Sequence, residues 1–302
     1  MVCILQTQLK LLILITLGFG ITKAGMFSQK GRANLTDIII YVILPCNIFD
    51  AFHQGLSPET IRQCIYVMLA AIGLQILYII LNRFLFIKFS PERRLVCQYA
   101  TIVNNASFMG LPVLESVYGD IGVLYGSIVL VPMRVFMWTA GLSLFTTTKK
   151  KEKIKMLATH PCILAVVLGF AYIFAPFKLP EFLSETISLV GNCTTALSML
   201  VVGSILSEVN PRHILDKGSL YYSFFRLVAI PAILFGALSL LGADREMTGV
   251  VVLSSAMPAA VTTAMLAEKY GKDYAFATKT IFISTILSMI TLPILAEVLS
   301  KI

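Results

Sequence analysis

Long apolar runs follow one another along the chain, separated by charges, glycines and prolines. Read from those boundaries, they predict spans over 4–22, 35–52, 61–82, 95–118, 121–145, 159–176, 183–206, 214–241, 246–267 and 274–299. Ten spans of the roughly 20 residues needed to cross a hydrocarbon core leave about 100 residues for connections. That is too few for a separate soluble domain. The first run lacks the basic start and small-x-small cleavage site of a signal peptide, so it counts as a span.

The two halves of the chain echo each other across the basic stretch 149–155. Leu17-Gly18-Phe19 recurs as Leu168-Gly169-Phe170, and Leu35-Thr36-Asp37 as Leu183-Ser184-Glu185. Ser57-Pro58 with Ile61 returns as Asn210-Pro211 with Ile214, and Tyr118-Gly119-Asp120 as Tyr270-Gly271-Lys272-Asp273. The spacing stays at roughly 150 residues, half the chain, which marks an internal repeat. Five spans per half is an odd number, so the second half enters the membrane from the opposite side. Inverted repeats of this kind are typical of secondary transporters.

Of the 302 residues, 57% are hydrophobic and 13% charged, with a mean hydropathy of +0.85. A soluble domain carries about 25% charged residues. The composition therefore argues against a cytosolic enzyme, a secreted module or a nucleic-acid binder, and for an integral membrane protein. The net charge of +8 reflects Lys and Arg gathered on the cytoplasmic side. With Lys149, Lys150, Lys151, Lys153 and Lys155 cytoplasmic, alternation puts Lys23, Lys30, Arg32, Arg83, Lys88, Arg93, Arg94, Arg212, Lys217, Lys269 and Lys272 on the same side. The other side receives Lys10, Arg62, Lys178, Arg245 and Lys301, and both termini. Cys3, Cys46, Cys64, Cys97, Cys162 and Cys193 form no C-x-x-C pair and read as small buried hydrophobes. His53, His160 and His213 lie far apart near segment ends, so no metal site or cofactor is expected.

Two spans carry polar chemistry. The fourth contains Asn104, Asn105, Ser107 and Pro112; the ninth contains Ser254, Ser255, Met257, Pro258, Thr262 and Thr263. Proline removes a backbone donor and clashes with the preceding turn, opening the helix. Opened backbone at membrane depth must face protein or a wet cavity. Breaks in equivalent spans of two inverted halves point to a transporter binding site. Half-helix N-termini there offer N–H groups and partial positive charge, suited to a carboxylate. The plainer reading is a proline kink, with Asn and Ser closing helix–helix hydrogen bonds.

Arg134, Arg226 and Lys279 fall inside spans, whereas the intramembrane acids are fewer, Asp50 and Glu115. Each buried cation needs a partner or a wet cavity. An anion could complete the balance; alternatively Arg226 and Lys279 snorkel or pair with Asp50, Glu115 or Glu268. Asp50 could instead serve as a protonation site coupled to transport. The asparagines at the crossover disfavour cation exchange, and no zinc motif or aspartyl pair supports intramembrane proteolysis.

The run Asn105-Ala106-Ser107-Phe108-Met109-Gly110-Leu111-Pro112, continuing to Tyr118-Gly119-Asp120, resembles the fourth helix of the auxin efflux carrier family. Met257-Pro258-Ala259-Ala260 with Ala267-Glu268-Lys269-Tyr270 resembles its ninth. The family includes plant PIN-type carriers and bacterial malate or malonate permease-like proteins, and the short linker 149–158 is similar to the bacterial branch. The resemblance implies an all-α membrane protein of ten transmembrane helices: two inverted five-helix repeats, 1–148 and 159–302, with crossed, broken helices 4 and 9. This is the architecture of sodium–bile acid symporter and sodium–proton antiporter folds. It further implies a dimerising scaffold of helices 1, 2, 6 and 7, a moving domain of helices 3–5 and 8–10, and elevator motion. Asn105 matches the crossover asparagine that holds the substrate carboxylate, and Pro258 the crossover proline. Plant members have a proline where this chain has Asn104, so the break is expected to shift towards Pro112 and auxin is disfavoured. The expected function is transport of a small organic anion across a bacterial plasma membrane. Asn104, Asn105, Ser107, Pro112, Ser255, Met257, Pro258 and Thr262 would form the site. The alternatives are an ion-coupled symporter using Asp50, and a membrane sensor with a transporter fold.

Overall fold

The computed structural model describes residues 2–53, 57–145, 154, 158–173, 175, 179–207 and 215–301. The linker lysines Lys149, Lys150, Lys151, Lys153 and Lys155, together with Lys178, Arg212, His213 and the Asn210-Pro211-Ile214 echo, lie outside the described residues.

The described chain is helical, and the one β-type contact among its residues is a single bridge, Asn104 to Ala259. Helix α1 covers Val2–Lys23, α2 covers 29–53 and α3 covers Pro58–Asn82. The fourth helix, α4, is Pro91–Ile102; after a gap the chain resumes as α5 (106–118) and α6 (120–145). Helix α7 is Pro161–Ile173 and α8 is Glu181–Ser207, interrupted at Asn192. Helix α9 is Lys217–Leu240, followed by α10 (Arg245–Ser255), α11 (Thr262–Lys269) and α12 (Tyr274–Lys301). Among the described residues six stretches are long and apolar enough to cross a membrane: Gln29–Phe52, Glu59–Asn82, Ala106–Phe145, Glu181–Ser207, Lys217–Leu240 and Tyr274–Lys301. The described residues are all-helical, and the molecule is a multi-pass membrane protein.

The 40-residue stretch Ala106–Phe145 would extend on the order of 60 Å if straight, twice a hydrocarbon core. It folds back instead. Gly119 takes φ 61°, a left-handed value that glycine adopts without penalty. Beyond it, Gly126 packs against Leu111 and Leu114, so α5 and α6 lie side by side. Gly271, in the matching motif of the other half, also has φ 61° and separates α11 from α12.

Helix limits follow capping chemistry. Ser28 accepts from the Gly31 N–H at 3.1 Å and starts α2 six residues before the apolar run at 35–52, because its first turns are polar. Ser57 caps α3, Asp216 caps α9 and Asp244 caps α10 through side-chain oxygens. Arg93, at the start of α4, reaches Asp216 Oδ2 at 3.2 Å and Asp273 Oδ2 at 3.3 Å, joining the ends of α4, α9 and α12. Among the described residues π turns occur at Ile39–Ile43, Ala106–Gly110, Met137–Gly141 and Phe225–Ala229. In three, a proline (Pro45, Pro112, Pro231) follows two residues later; its missing N–H leaves a carbonyl inside the turn without its usual donor, and the ladder shifts register.

Packing divides the helices. Helix α1 lies against the second part of α8 so closely that Gly18 touches the Leu200 backbone and Gly203 the Ile15 carbonyl. Helix α2 lies against α7 and α8, with Gly169 on Phe52 and Gly191 on Asn47. The remaining helices pack mainly among themselves: α3 with the α5–α6 hairpin, α9 with α12, and α10 with the same hairpin. Two apolar clusters result. One holds Ala106, Met109 and Met257, the other Val103, Ala259 and Ala260. The gap between α4 and α5 and the gap between α10 and α11 both lie where the clusters meet.

Candidate functional site

The chain opens twice at this level, for different local reasons. After Ile102 come Val103, Asn104 and Asn105, and asparagine side chains compete with the helical ladder for backbone partners. After Ser255 come Ala256-Met257-Pro258-Ala259-Ala260; Pro258 lacks an N–H and drives Met257 out of helical conformation. The two openings cross and pair, with the Asn105 N–H donating to the Pro258 carbonyl at 2.8 Å.

That pairing diverts a donor and leaves carbonyls to be satisfied. In an unbroken helix the Asn105 N–H would serve Thr101; here the Arg226 Nη1 donates to the Thr101 carbonyl at 2.8 Å instead. Tyr222 Oη donates to the Ala100 carbonyl at 2.8 Å. Arg226 Nε donates to the Met257 carbonyl at 3.0 Å, and Asn104 Nδ2 to the Ser254 carbonyl at 2.5 Å. The Ala259 N–H donates to Ser284 Oγ at 3.2 Å. Leaving one such buried group unmet costs about 1–3 kcal/mol, so these side chains offset part of the cost of the double break, while Asn104 Oδ1, Arg226 Nη2 and Ser254 Oγ stay buried without a partner among the described residues.

The other ends of the break are N-termini. Helix α5 begins at Ala106 and α11 at Thr262; a helix start leaves its first N–H groups without intrahelical acceptors, although in α11 Thr263 and Ala264 already donate to the Ala260 and Val261 carbonyls at 3.0 Å. Arg134 of α6, 8% exposed, comes to the first of these: its Nη2 donates to Ser107 Oγ at 2.6 Å and its Nη1 contacts Met137 Sδ at 3.4 Å. Its buried Nε has no partner among the described residues. Nor does a described carboxylate pair with Arg134, Arg226 or Lys279; the described ion pairs are Arg62–Glu59, Arg93–Asp216, Arg93–Asp273 and Lys301–Glu297. The pairing of Arg226 or Lys279 with Asp50, Glu115 or Glu268 is therefore not found.

The structure gathers most of the sequence-derived residues. Asn104, Asn105, Ser107, Met257, Pro258, Arg134 and Arg226 meet at the crossover. The Asn105 amide has no hydrogen-bond partner among the described residues, whereas that of Asn104 is committed through Nδ2, with a buried, unpartnered Oδ1. Ser255 turns its hydroxyl back to the Val252 carbonyl at 2.7 Å. Half-buried Thr262 accepts from Tyr99 Oη at 3.4 Å. Pro112 lies inside helix beyond the π turn Ala106–Gly110, and the break stays at 103–105 rather than shifting towards it; the asparagines supply the opening that a proline was expected to require. Three charged candidates lie apart. Glu115 accepts from Thr195 Oγ1 of α8 at 3.4 Å, and Asp50 and Lys279 are half-buried on α2 and α12. Among the described residues no group of three His, Cys, Asp or Glu could hold a metal.

Tyr222, Thr101, Tyr99 and Ser284 belong to the site without having been singled out by sequence. Only Ser284 left a usable signal: Thr280, Ser284 and Ser288, all fully buried, recur every four residues along α12 and mark one polar helix face.

Comparison with known proteins finds transporters along nearly the whole chain. The chain is similar to uncharacterised transporters of Methanocaldococcus jannaschii (24% identical, 95% of this chain and 96% of the relative) and Methanothermobacter thermautotrophicus (25%, 97% and 98%). It is also similar to a Rhizobium meliloti protein named as a candidate malonate transporter (23%, 90% and 89%). The model of the membrane transport protein family matches residues 3–160 and 153–296. The chain therefore belongs to the membrane transport protein family, that of the auxin efflux carriers it resembles, and is a transporter rather than an enzyme.

Proposed function

We propose that the protein carries a small organic anion, a mono- or dicarboxylate, across a bacterial plasma membrane, binding it at the crossing of the two broken helices. The observation that carries this reading is the buried Arg134 beside the first turn of α5, held by a neutral hydroxyl and a thioether with no described carboxylate. A cation at the positive end of a helix is electrostatically unmatched, and a substrate carboxylate lying between them would match both. The free Asn105 amide supplies further donors, and Thr262 stands at the start of the facing half-helix.

In this reading the chain is two inverted five-helix repeats. Support comes from the paired left-handed glycines Gly119 and Gly271 and from Gly18 and Gly169, echoed positions that both make close helix contacts. Helices α1, α2, α7 and α8 form a scaffold that dimerises, and the crossover bundle moves against it as an elevator. Both termini lie outside the cytoplasm. The malonate activity named for the Rhizobium relative makes malonate the first probe. Proteoliposomes loaded with malonate should accumulate external radiolabelled malonate by exchange. Asn105→Ala and Pro258→Ala should each reduce the initial rate at least tenfold, and wild-type rates in both would remove the crossover as the site.

A further inference from the structure

We infer that Arg226 is a resident cation: its guanidinium fills the position at the crossover where a transporter of broken-helix design would bind a coupling sodium ion. In such transporters, half-helix C-termini and unwound carbonyls coordinate the ion. Here the C-terminal ends of α4 and α10 face the crossover, each worth about half a negative charge. Together they present about one negative charge, and one guanidinium neutralises it. Arg226 makes that match directly, through Nη1 to the Thr101 carbonyl and Nε to the Met257 carbonyl. It is 1% exposed, which excludes snorkelling to either surface. The guanidinium lies over the Tyr78 ring at 4.8 Å, a contact that suits a weakly hydrated cation, and its buried Nη2 has no hydrogen-bond partner among the described residues.

The backbone is shaped to deliver this group. Arg226 sits within the π turn Phe225–Ala229, and one helical turn earlier Tyr222 serves the neighbouring carbonyl of Ala100. A single segment of α9 thus replaces both lost donors of α4. Lysine would keep the resident charge but not the geometry, because a point charge cannot reproduce two forked N–H bonds in fixed positions. Because the charge is covalently held, it cannot leave with the substrate. The crossover then needs no sodium, whatever anion it carries. As a positioning residue, Arg226 acts on the anion site through the carbonyl ends it neutralises.

Thermal unfolding of purified protein tests this without requiring transport. Wild type should melt at the same temperature in sodium chloride and in choline chloride. Arg226→Ala should melt lower, regain several degrees with millimolar ethylguanidinium but not with the neutral isostere ethylurea, and acquire stabilisation by sodium. If the alanine variant does not fold, Arg226→Gln should show sodium stabilisation and Arg226→Lys should not. Saturable sodium stabilisation of wild type would overturn the inference. So would equal rescue of Arg226→Ala by ethylguanidinium and ethylurea, or equal sodium responses in the Gln and Lys variants. Malonate uptake into proteoliposomes should likewise proceed at equal rates in sodium and choline media. Absence of malonate uptake altogether would bear on the proposed substrate alone, and the melting experiments would still decide the role of Arg226.

Discussion

Arg134 and Arg226 bring the same charge to the crossover but meet opposite ends of the broken helices. Arg226 donates to carbonyls at C-terminal ends, where a cation is favoured; Arg134 donates to Ser107 in the first turn of α5, where it is not. Each keeps one buried nitrogen, Nη2 of Arg226 and Nε of Arg134, without a hydrogen-bond partner among the described residues; in the proposed reading Arg226 is the structural charge and Arg134 receives the anion. Replacing Arg134 by Gln should therefore weaken substrate binding more than folding. A hydrogen bond to a charged group contributes about 1.5–3 kcal/mol, so the half-saturation concentration for malonate exchange should rise roughly ten- to a hundredfold. An Arg134→Gln variant with unchanged half-saturation would assign Arg134 to packing alone.

At the scale of the elements, close glycine contacts hold the α1–α8 and α2–α7 pairs. A Cβ at Gly203 would overlap the Ile15 carbonyl, a backbone atom that cannot move aside, whereas one at Gly20 meets nothing within 4 Å. Overpacking of this kind costs about 1–3 kcal/mol. Thermal unfolding should show Gly203→Ala clearly destabilised and Gly20→Ala unchanged or slightly raised; equal midpoints would mean that α1 and α8 do not pack through Gly203.

Helix positions were largely legible, because a lipid-facing span must be apolar and its charged flanks mark where it ends. The polar first turns of α2 were not, since Ser28 capping rather than apolarity starts that helix. The break at Asn104-Asn105 and Pro258 was legible from residue type. The division of labour between the two asparagines was not: one amide ties Ser254 and the other stays open, and that depends on the partner segment 150 residues away. Tyr222 gave no signal either, because a tyrosine in an apolar run resembles packing until the carbonyl it serves is known.

Over the whole molecule, the two breaks lie where the two apolar clusters meet, and polar backbone buried there is satisfied from α9 and α12. The helices around them pack mainly with one another, while α1, α2, α7 and α8 form the second set. This grouping is what an elevator requires: a bundle that keeps its internal hydrogen bonds while sliding past its neighbours. The crossover residues are buried, with Phe108, Val261 and Thr262 partly exposed beside them, so the proposed anion site requires an aqueous route that opens during transport.

That route can be measured. In a background with the native cysteines replaced by serine, Asn105→Cys can be exposed in membrane vesicles to the anionic, membrane-impermeant sulfonatoethyl methanethiosulfonate and to its cationic trimethylammonium analogue. The cysteine should react from the aqueous phase, faster with the anionic reagent, and saturating malonate should slow the reaction. A cysteine that reacts with neither reagent from either side of the membrane, or whose labelling no carboxylate slows, would contradict an anion site at the crossing of the two broken helices.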